Sequence, residues 1–352
     1  RVDKTPYPKP MDPETFHRRS RRKDTIVLDT RSYSRFGGHH VPCAYHIDLG
    51  GNFPTFAGWV LPSDKKILLV SSDPEEAETA DVWIANNGRA MLKIAGVSGR
   101  TDQALREAGM AAKHGYHACL LALRDLREEP METILDHCRT VAEIMPLVGF
   151  YLQPAVGGMH LPVEFWRAFA AIENVVAIKM APFNRYRTLD VIRAVAEIDR
   201  LGDVALYTGN DDTIIVDLLS TYRVVTGAGE RRVRIVGGLL GHWGVWTRKA
   251  VEQLAKIKAL GEQPIPPAML TLAHEVTDSN AAFFDPVHGF AGCLAGINEV
   301  LRRRGQVPGS VCLNPKERLS PGQAEEIDRV QAAYPHLNDD AFVAENLDRW
   351  LG

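Results

Sequence analysis

Two side chains in this sequence are placed to do carbonyl chemistry together. Lys179 lies in NVVAIKMAP, near the end of a β-branched run that reads as a buried strand. An ammonium group there loses hydration, its pKa falls, and the neutral amine becomes able to attack a carbonyl and form an imine. Tyr151, in GFYLQPAVGG, ends the preceding strand 28 positions earlier. A phenol at that point can carry protons through imine formation and carbon-carbon cleavage. The competing readings are a lysine that snorkels to solvent and a tyrosine that is simply core or rim.

Those two residues need a frame that brings strand ends together. Short apolar runs alternate with helical periodicity from about residue 25 to residue 261. Strands are predicted at 25–29, 44–49, 91–97, 118–123, 148–153, 175–180, 204–209 and 234–239, the number a closed (β/α)8 barrel requires. Helices are predicted at 101–114, 131–144, 162–172, 188–198 and 247–260, several opened by Thr, Asp or Pro. The segment 62–87 fits neither period. A polar, Pro-rich lead-in covers 1–22, the barrel 23–261 and a helical region 262–352. The C-terminal HLNDDAFVAENLDRWLG reads as an amphipathic helix that packs Phe342, Leu347 and Trp350. A doubly wound sheet is the alternative, but GVSGR is only a fragment of a phosphate-binding loop.

Composition narrows the partners. With 352 residues, 45% hydrophobic, 24% charged and a net charge of -3, the chain is of ordinary globular type and offers no basic surface for nucleic acid or an anionic membrane. No apolar run reaches membrane-spanning length and no secretory core opens the chain. Five scattered cysteines without a CxxC pair suit a reducing, cytoplasmic setting. The expected partner is a small molecule.

The Tyr-x-x-Pro after one strand, followed by Lys179 on the next, resembles the signature of the dihydrodipicolinate synthase and N-acetylneuraminate lyase superfamily. AMLKIAGVSGRTDQALREAGMAAKHGYHACLLAL and FAGCLAGINEVLRRRGQVPG resemble its third and fourth βα units and its C-terminal tail. The resemblance implies a TIM barrel with a helical appendage and a cofactor-free lyase, aldolase or dehydratase. Its substrates would be a 2-keto acid, pyruvate-type or a 3-deoxy sugar acid, and an aldehyde. Lys179 would form the imine and Tyr151 relay protons. LYTGNDD is similar to the segment in which the lyase branch holds sugar hydroxyls, implying that Gly209, Asp211 and Asp212 bind substrate; helix capping by the two aspartates is the other reading. By analogy the protein would be a homodimer or homotetramer.

Two departures stand out. The superfamily's Gly-Thr-Thr-Gly-Glu-like turn for the substrate carboxylate is missing; the nearest substitute is HIDLGGNFPTF, where Gly50, Gly51 and Asn52 could present backbone N–H groups to an anion. Val156 also stands where dihydrodipicolinate synthases carry a carboxylate-binding arginine. Two rival functions follow from other residues. VPCAYHID, with His46 and Asp48 on one strand face, near His39 and His40 and with His242 further on, could belong to a metal-dependent class II aldolase. A barrel that has lost its carboxylate turn could alternatively bind a small acid without catalysis.

Overall fold

The computed structural model describes residues 10–48, 61–62, 65–72, 93–198 and 200–351. The chain divides into two compact units, one formed by residues 1–92 with 345–352 and the other by 93–344.

In the first unit three parallel strands pair in the order β2-β1-β3, with β1 at Thr25–Asp29, β2 at Tyr45–His46 and β3 at Lys66–Val70. β3 was not predicted; it falls in the stretch 62–87 that shows no clear period. Leu28 and Ile47 form the small buried core of this sheet.

The second unit holds six parallel strands: β4 Ile94–Val97, β5 Ala118–Leu121, β6 Leu147–Leu152, β7 Val175–Ala181, β8 Ala205–Thr208 and, after a hairpin, β11 Gly237–Gly238. They pair in chain order, β4 to β8 and then β11. The predicted strand 234–239 is in fact two pieces. Arg234 closes the antiparallel hairpin β9 (Thr221–Thr226) and β10 (Gly229–Arg234), and only Gly237 and Gly238 join the parallel sheet, opposite Tyr207 and Thr208.

Helices cover one face of this sheet because their apolar residues recur at helical spacing. Met131–Ala142 buries Ile134, Leu135, Cys138 and Val141, and Arg185–Glu197 buries Val191, Ile192 and Val195. Each such side chain stabilises the fold by roughly 1.5–3 kcal/mol. Gly149 lets a helix close on the sheet, since a Cβ there would stand 2.6 Å from the Phe169 ring. The opposite face carries a smaller cluster of Ala118, Val148 and Ala177, with Leu120, Ala205 and Tyr207 packed against it.

After Thr247–Leu260 the helical region follows as Pro267–Phe284, Cys293–Arg303, Gln323–Ala333 and Asp340–Leu351. Phe342 of the last helix lies under Arg248, 4.5 Å from guanidinium carbon to ring centroid. Among the described residues no helix is long and apolar enough to cross a membrane.

A buried ion pair ties this region together. Arg304 donates to the Val245 carbonyl and to Asp339 Oδ1 (2.5 Å), while Asp339 Oδ2 accepts from the Arg248 backbone N–H (2.9 Å). Both charged side chains are at most 5% exposed. Arg304→Ala leaves Asp339 buried without its cation and is expected to cost about 3–5 kcal/mol. Urea unfolding monitored by circular dichroism checks this; a loss under about 1 kcal/mol, the range of surface pairs, would show that Asp339 is solvated instead.

Candidate active site

Parallel strands in register present equivalent residues on the same face. Phe150 on β6 stands opposite Lys179 on β7, which stands opposite Tyr207 on β8. These three continue the rows Val148–Phe150, Ala177–Lys179 and Ala205–Tyr207, on the face turned away from the helices. Tyr151, Met180 and Thr208 form the next register row and point the other way.

Lys179 is half-buried in a strand of Val, Ala, Ile and Met whose other residues are buried apart from the exposed Val176. Its ammonium lies 4.4 Å from the centroid of the Phe150 ring. Burial pulls its pKa below the ordinary lysine value, and the nearby charge of Asp211 opposes that pull. Among the described residues no salt bridge within 4.0 Å is formed by this ammonium. Gly209 clears its path: a Cβ there would come within 2.9 Å of Lys179 Cε and 2.8 Å of Ala181 Cβ. The glycine of LYTGNDD thus makes room for the lysine itself.

Tyr151 is placed differently from expectation. It is fully buried against Trp166, ring centroids 4.9 Å apart. Its hydroxyl donates to the Leu161 carbonyl (3.2 Å) and accepts from the Leu161 N–H (3.4 Å). The reason is the β6–β7 register, which shifts between Leu147 and Val148 so that Leu147 faces Val175 but Val148 faces Ala177. Past this irregularity Phe150, not Tyr151, is the neighbour of Lys179. The structure does not bring the two sequence-predicted catalytic residues together.

Asp211 does approach the lysine. Its buried carboxylate accepts from the His242 backbone N–H (3.0 Å), and its carbonyl accepts from Asn280 Nδ2 (2.6 Å). Asn280 Oδ1 in turn meets His242 Nδ1 at 2.5 Å. Because the amide nitrogen of Asn280 is already a donor, this last bond assigns the proton to Nδ1 of a neutral imidazole. Burial pushes Asp211 up to about 6, against the pull of the His242 and Gly241 N–H groups and of Lys179, and pushes His242 down to about 4. Asp212 has an exposed side chain, and its carbonyl accepts from Thr277 Oγ1 (2.7 Å). Neither aspartate caps the following helix, Ile214–Leu219, whose N-cap is Thr213.

The turn carrying these residues is fixed from below by a cluster that motif matching overlooks. Buried Asp217 accepts from Thr208 Oγ1 (2.6 Å), Asn210 Nδ2 (3.2 Å), Tyr222 Oη (3.4 Å) and Arg185. Asn210 Oδ1 receives the Phe183 N–H at 3.0 Å. Phe183, just past β7, meets Phe290 edge-on with centroids 5.6 Å apart, and both hold left-handed backbone, φ 48° and 69°. Such angles cost energy in a non-glycine residue. Half-buried Cys293, pushed up to about 11 mainly by burial, feels the charge of Asp211. The signal for this cluster lay in the Asn within TGNDD and the Arg of FNRY, both of which reach Asp217.

The other expected residues separate. Gly50, Gly51 and Asn52 lie outside the described residues. Val156 is 42% exposed, and the glycines after it serve the turn: Gly157 has φ 91°, and a Cβ on Gly158 would stand 1.9 Å from the Leu152 carbonyl oxygen. His46 stacks on Phe36 at 4.2 Å and its Nε2 meets the Arg31 carbonyl at 2.8 Å. His40 stacks on the same Phe36, also at 4.2 Å. Among the described residues no group of three or more His, Cys, Asp or Glu side chains converges as metal ligands.

Comparison with known proteins agrees with the fold. Residues 76–226 match the model of the dihydrodipicolinate synthetase family. The chain is 29% identical over 129 residues to the 4-hydroxy-tetrahydrodipicolinate synthase of Microcystis aeruginosa, covering 36% of this chain and 42% of that protein. It is 31% identical over 127 residues to the enzyme of the same name from Acaryochloris marina, covering 35% and 40%. The match thus spans about two fifths of these relatives. The dihydrodipicolinate synthase of Acinetobacter baumannii, solved with pyruvate, superposes with a TM-score of 0.54 at 21% identity over 73% of this chain and 79% of that one. The enzyme of Bacteroides thetaiotaomicron gives 0.55 at 12% identity over 88% and 99%. By its matched segment this chain is similar to the dihydrodipicolinate synthetase family, and it shares the barrel fold of the solved neighbours.

Proposed function

We propose that the protein is a Schiff-base lyase, aldolase or dehydratase acting on a 2-keto acid, with Lys179 as nucleophile. The observation that carries this reading is the half-buried Lys179 beside Gly209, its ammonium over Phe150 and its proton affinity lowered by burial. A lysine kept only for packing would gain nothing from a glycine that clears its path. The neutral amine attacks the C2 carbonyl, and the resulting iminium serves as the electron sink when a carbon-carbon or carbon-oxygen bond breaks. The relatives' name, 4-hydroxy-tetrahydrodipicolinate synthase, and a solved neighbour holding pyruvate favour a pyruvate-type keto acid with an aldehyde partner. Val156 lacks the cationic head of a carboxylate clamp, which argues for an aldehyde other than the one those relatives use. The reading also carries a homodimer or homotetramer by analogy, although one solved neighbour is a monomeric variant.

The decisive experiment is borohydride reduction in the presence of pyruvate and then a panel of 2-keto acids, with peptide mass spectrometry. An adduct on Lys179 that vanishes in Lys179→Ala is expected; no adduct with any keto acid would overturn the proposal. Tyr151→Phe provides a second check. With its hydroxyl turned to Leu161, the substitution is expected to lower stability by about 1 kcal/mol and to leave the rate of adduct formation within about threefold. A fall of 10² or more, the size of a lost acid-base group, would return the proton relay to Tyr151.

A further inference from the structure

The row that holds Lys179 continues past Phe150 to β5. Leu121 pairs with Gly149, so Ala122, the next residue, stands level with Phe150 and Lys179. Just beyond, the chain leaves β5 and Arg124 opens the 3-10 turn Arg124–Leu126. Phe150 and Arg124 wall one narrow slot, about 30 Å³ in volume, together with Ala122, Leu152, Met159 and Leu161. Among the described residues that line it, Arg124 is the one that carries a charge. The ring under the Lys179 ammonium is therefore also a wall of an apolar slot with a guanidinium-bearing residue at its rim.

Arg124 borders a second, wider cavity of about 790 Å³ at the start of Thr101–Lys113. Arg100 and Arg106 line it with Arg124, against the carboxylates of Asp102 and Asp125. Arg100 already pairs with Glu129 at 3.0 Å. Arg124 is held loosely: its Nε stands 3.8 Å from Asp125 Oδ1, beyond hydrogen-bonding distance, and its side chain is 61% exposed. An exposed pair of this kind contributes little to stability, so the guanidinium is free to turn to a stronger anion.

We propose that Arg124 holds the carboxylate or phosphate head of the aldehyde partner, with an unbranched chain lying along the slot beside Phe150. The inference rests on the Schiff-base reading above and names the class of its second substrate. A guanidinium meets either head with two parallel N–H donors. The slot has the room of roughly two waters, which suits a methylene chain and excludes a ring. Two strand spacings, about 10 Å, separate β5 from β7. The head then stands about six carbon bonds from C2 once the reach of the guanidinium is counted. The turn after β6 supplies no cation here; its Gly157 and Gly158 are part of the slot wall. Recognition from β5 in place of that turn changes the distance between head and reacting carbon, and with it the aldehyde that fits.

The test uses the full chain and borohydride trapping on Lys179. The probe 2-oxooctanedioate stands in for the condensation product of pyruvate with an anionic aldehyde, and 2-oxooctanoate is its control with an uncharged tail. The readout is the ratio of the concentrations giving half-maximal adduct, control over diacid. This ratio is expected to be about tenfold or more in the parent, to fall below about threefold in Arg124→Gln and to lie between the two in Arg124→Lys. Thermal melting checks that each variant is folded. Competition by glutarate and by inorganic phosphate names the head: the better blocker of the diacid adduct in the parent marks it as carboxylate or phosphate. A parent ratio near 1, or a tenfold ratio that survives in Arg124→Gln, would overturn the proposal while leaving the Schiff base intact. Absence of any Lys179 adduct with pyruvate in the parent would remove the Lys179 reading and this proposal with it.

Discussion

A side chain on a strand can reach only what its face permits, and along β6, β7 and β8 that alternation decides which groups meet. The register that sets Phe150, Lys179 and Tyr207 in one row puts the lysine on the face turned away from the helices. The same register sends Tyr151 into the helical layer, where Trp166 and Leu161 occupy it fully. The aromatic ring under the ammonium belongs to that row, and the clearance at Gly209 lies two residues past Tyr207, whereas Asp211 stands on the turn beyond the strand end.

Much of this was legible from residue types. The run NVVAIKMAP announced a buried strand interrupted by one lysine because parallel strands are covered on both faces and read as continuous apolar runs. LYTGNDD announced a strand end, and a Cβ at Gly209 would stand 2.9 Å from Lys179 Cε. The separation of Tyr151 from Lys179 has a definite origin. Counting 28 positions between two motifs assumes an unbroken ladder, whereas the pairing shifts between Leu147 and Val148, and a shift of one residue reverses the face. β3 was hidden by a stretch without clear period, and the hairpin β9–β10 by its charged and polar alternation.

Long-range polar contacts were beyond local patterns altogether. Asn280 and His242 fix Asp211 across 69 and 31 positions of sequence. Nothing in the periodicity of Pro267–Phe284 marks Asn280 as different from a surface amide. Its meaning comes from burial, since a buried amide must find partners for both its donor and its acceptor, and here one backbone carbonyl and one imidazole supply them. The helical region is in this sense part of the site.

The edge-on contact of Phe183 with Phe290 has a consequence for the order in which the molecule is made. Synthesis and folding proceed from the N-terminus, so the strands that carry Lys179 and Gly209 leave the ribosome before Asn280 and Phe290 exist. During that interval the lysine has its row of neighbours on β6 and β8 but lacks the two C-terminal contacts that fix Asp211 and back Phe183. An emerging chain thus passes through a stage in which the turn after β8 lacks its C-terminal partners. The cluster around Asp211 is completed only when the last third of the polypeptide docks.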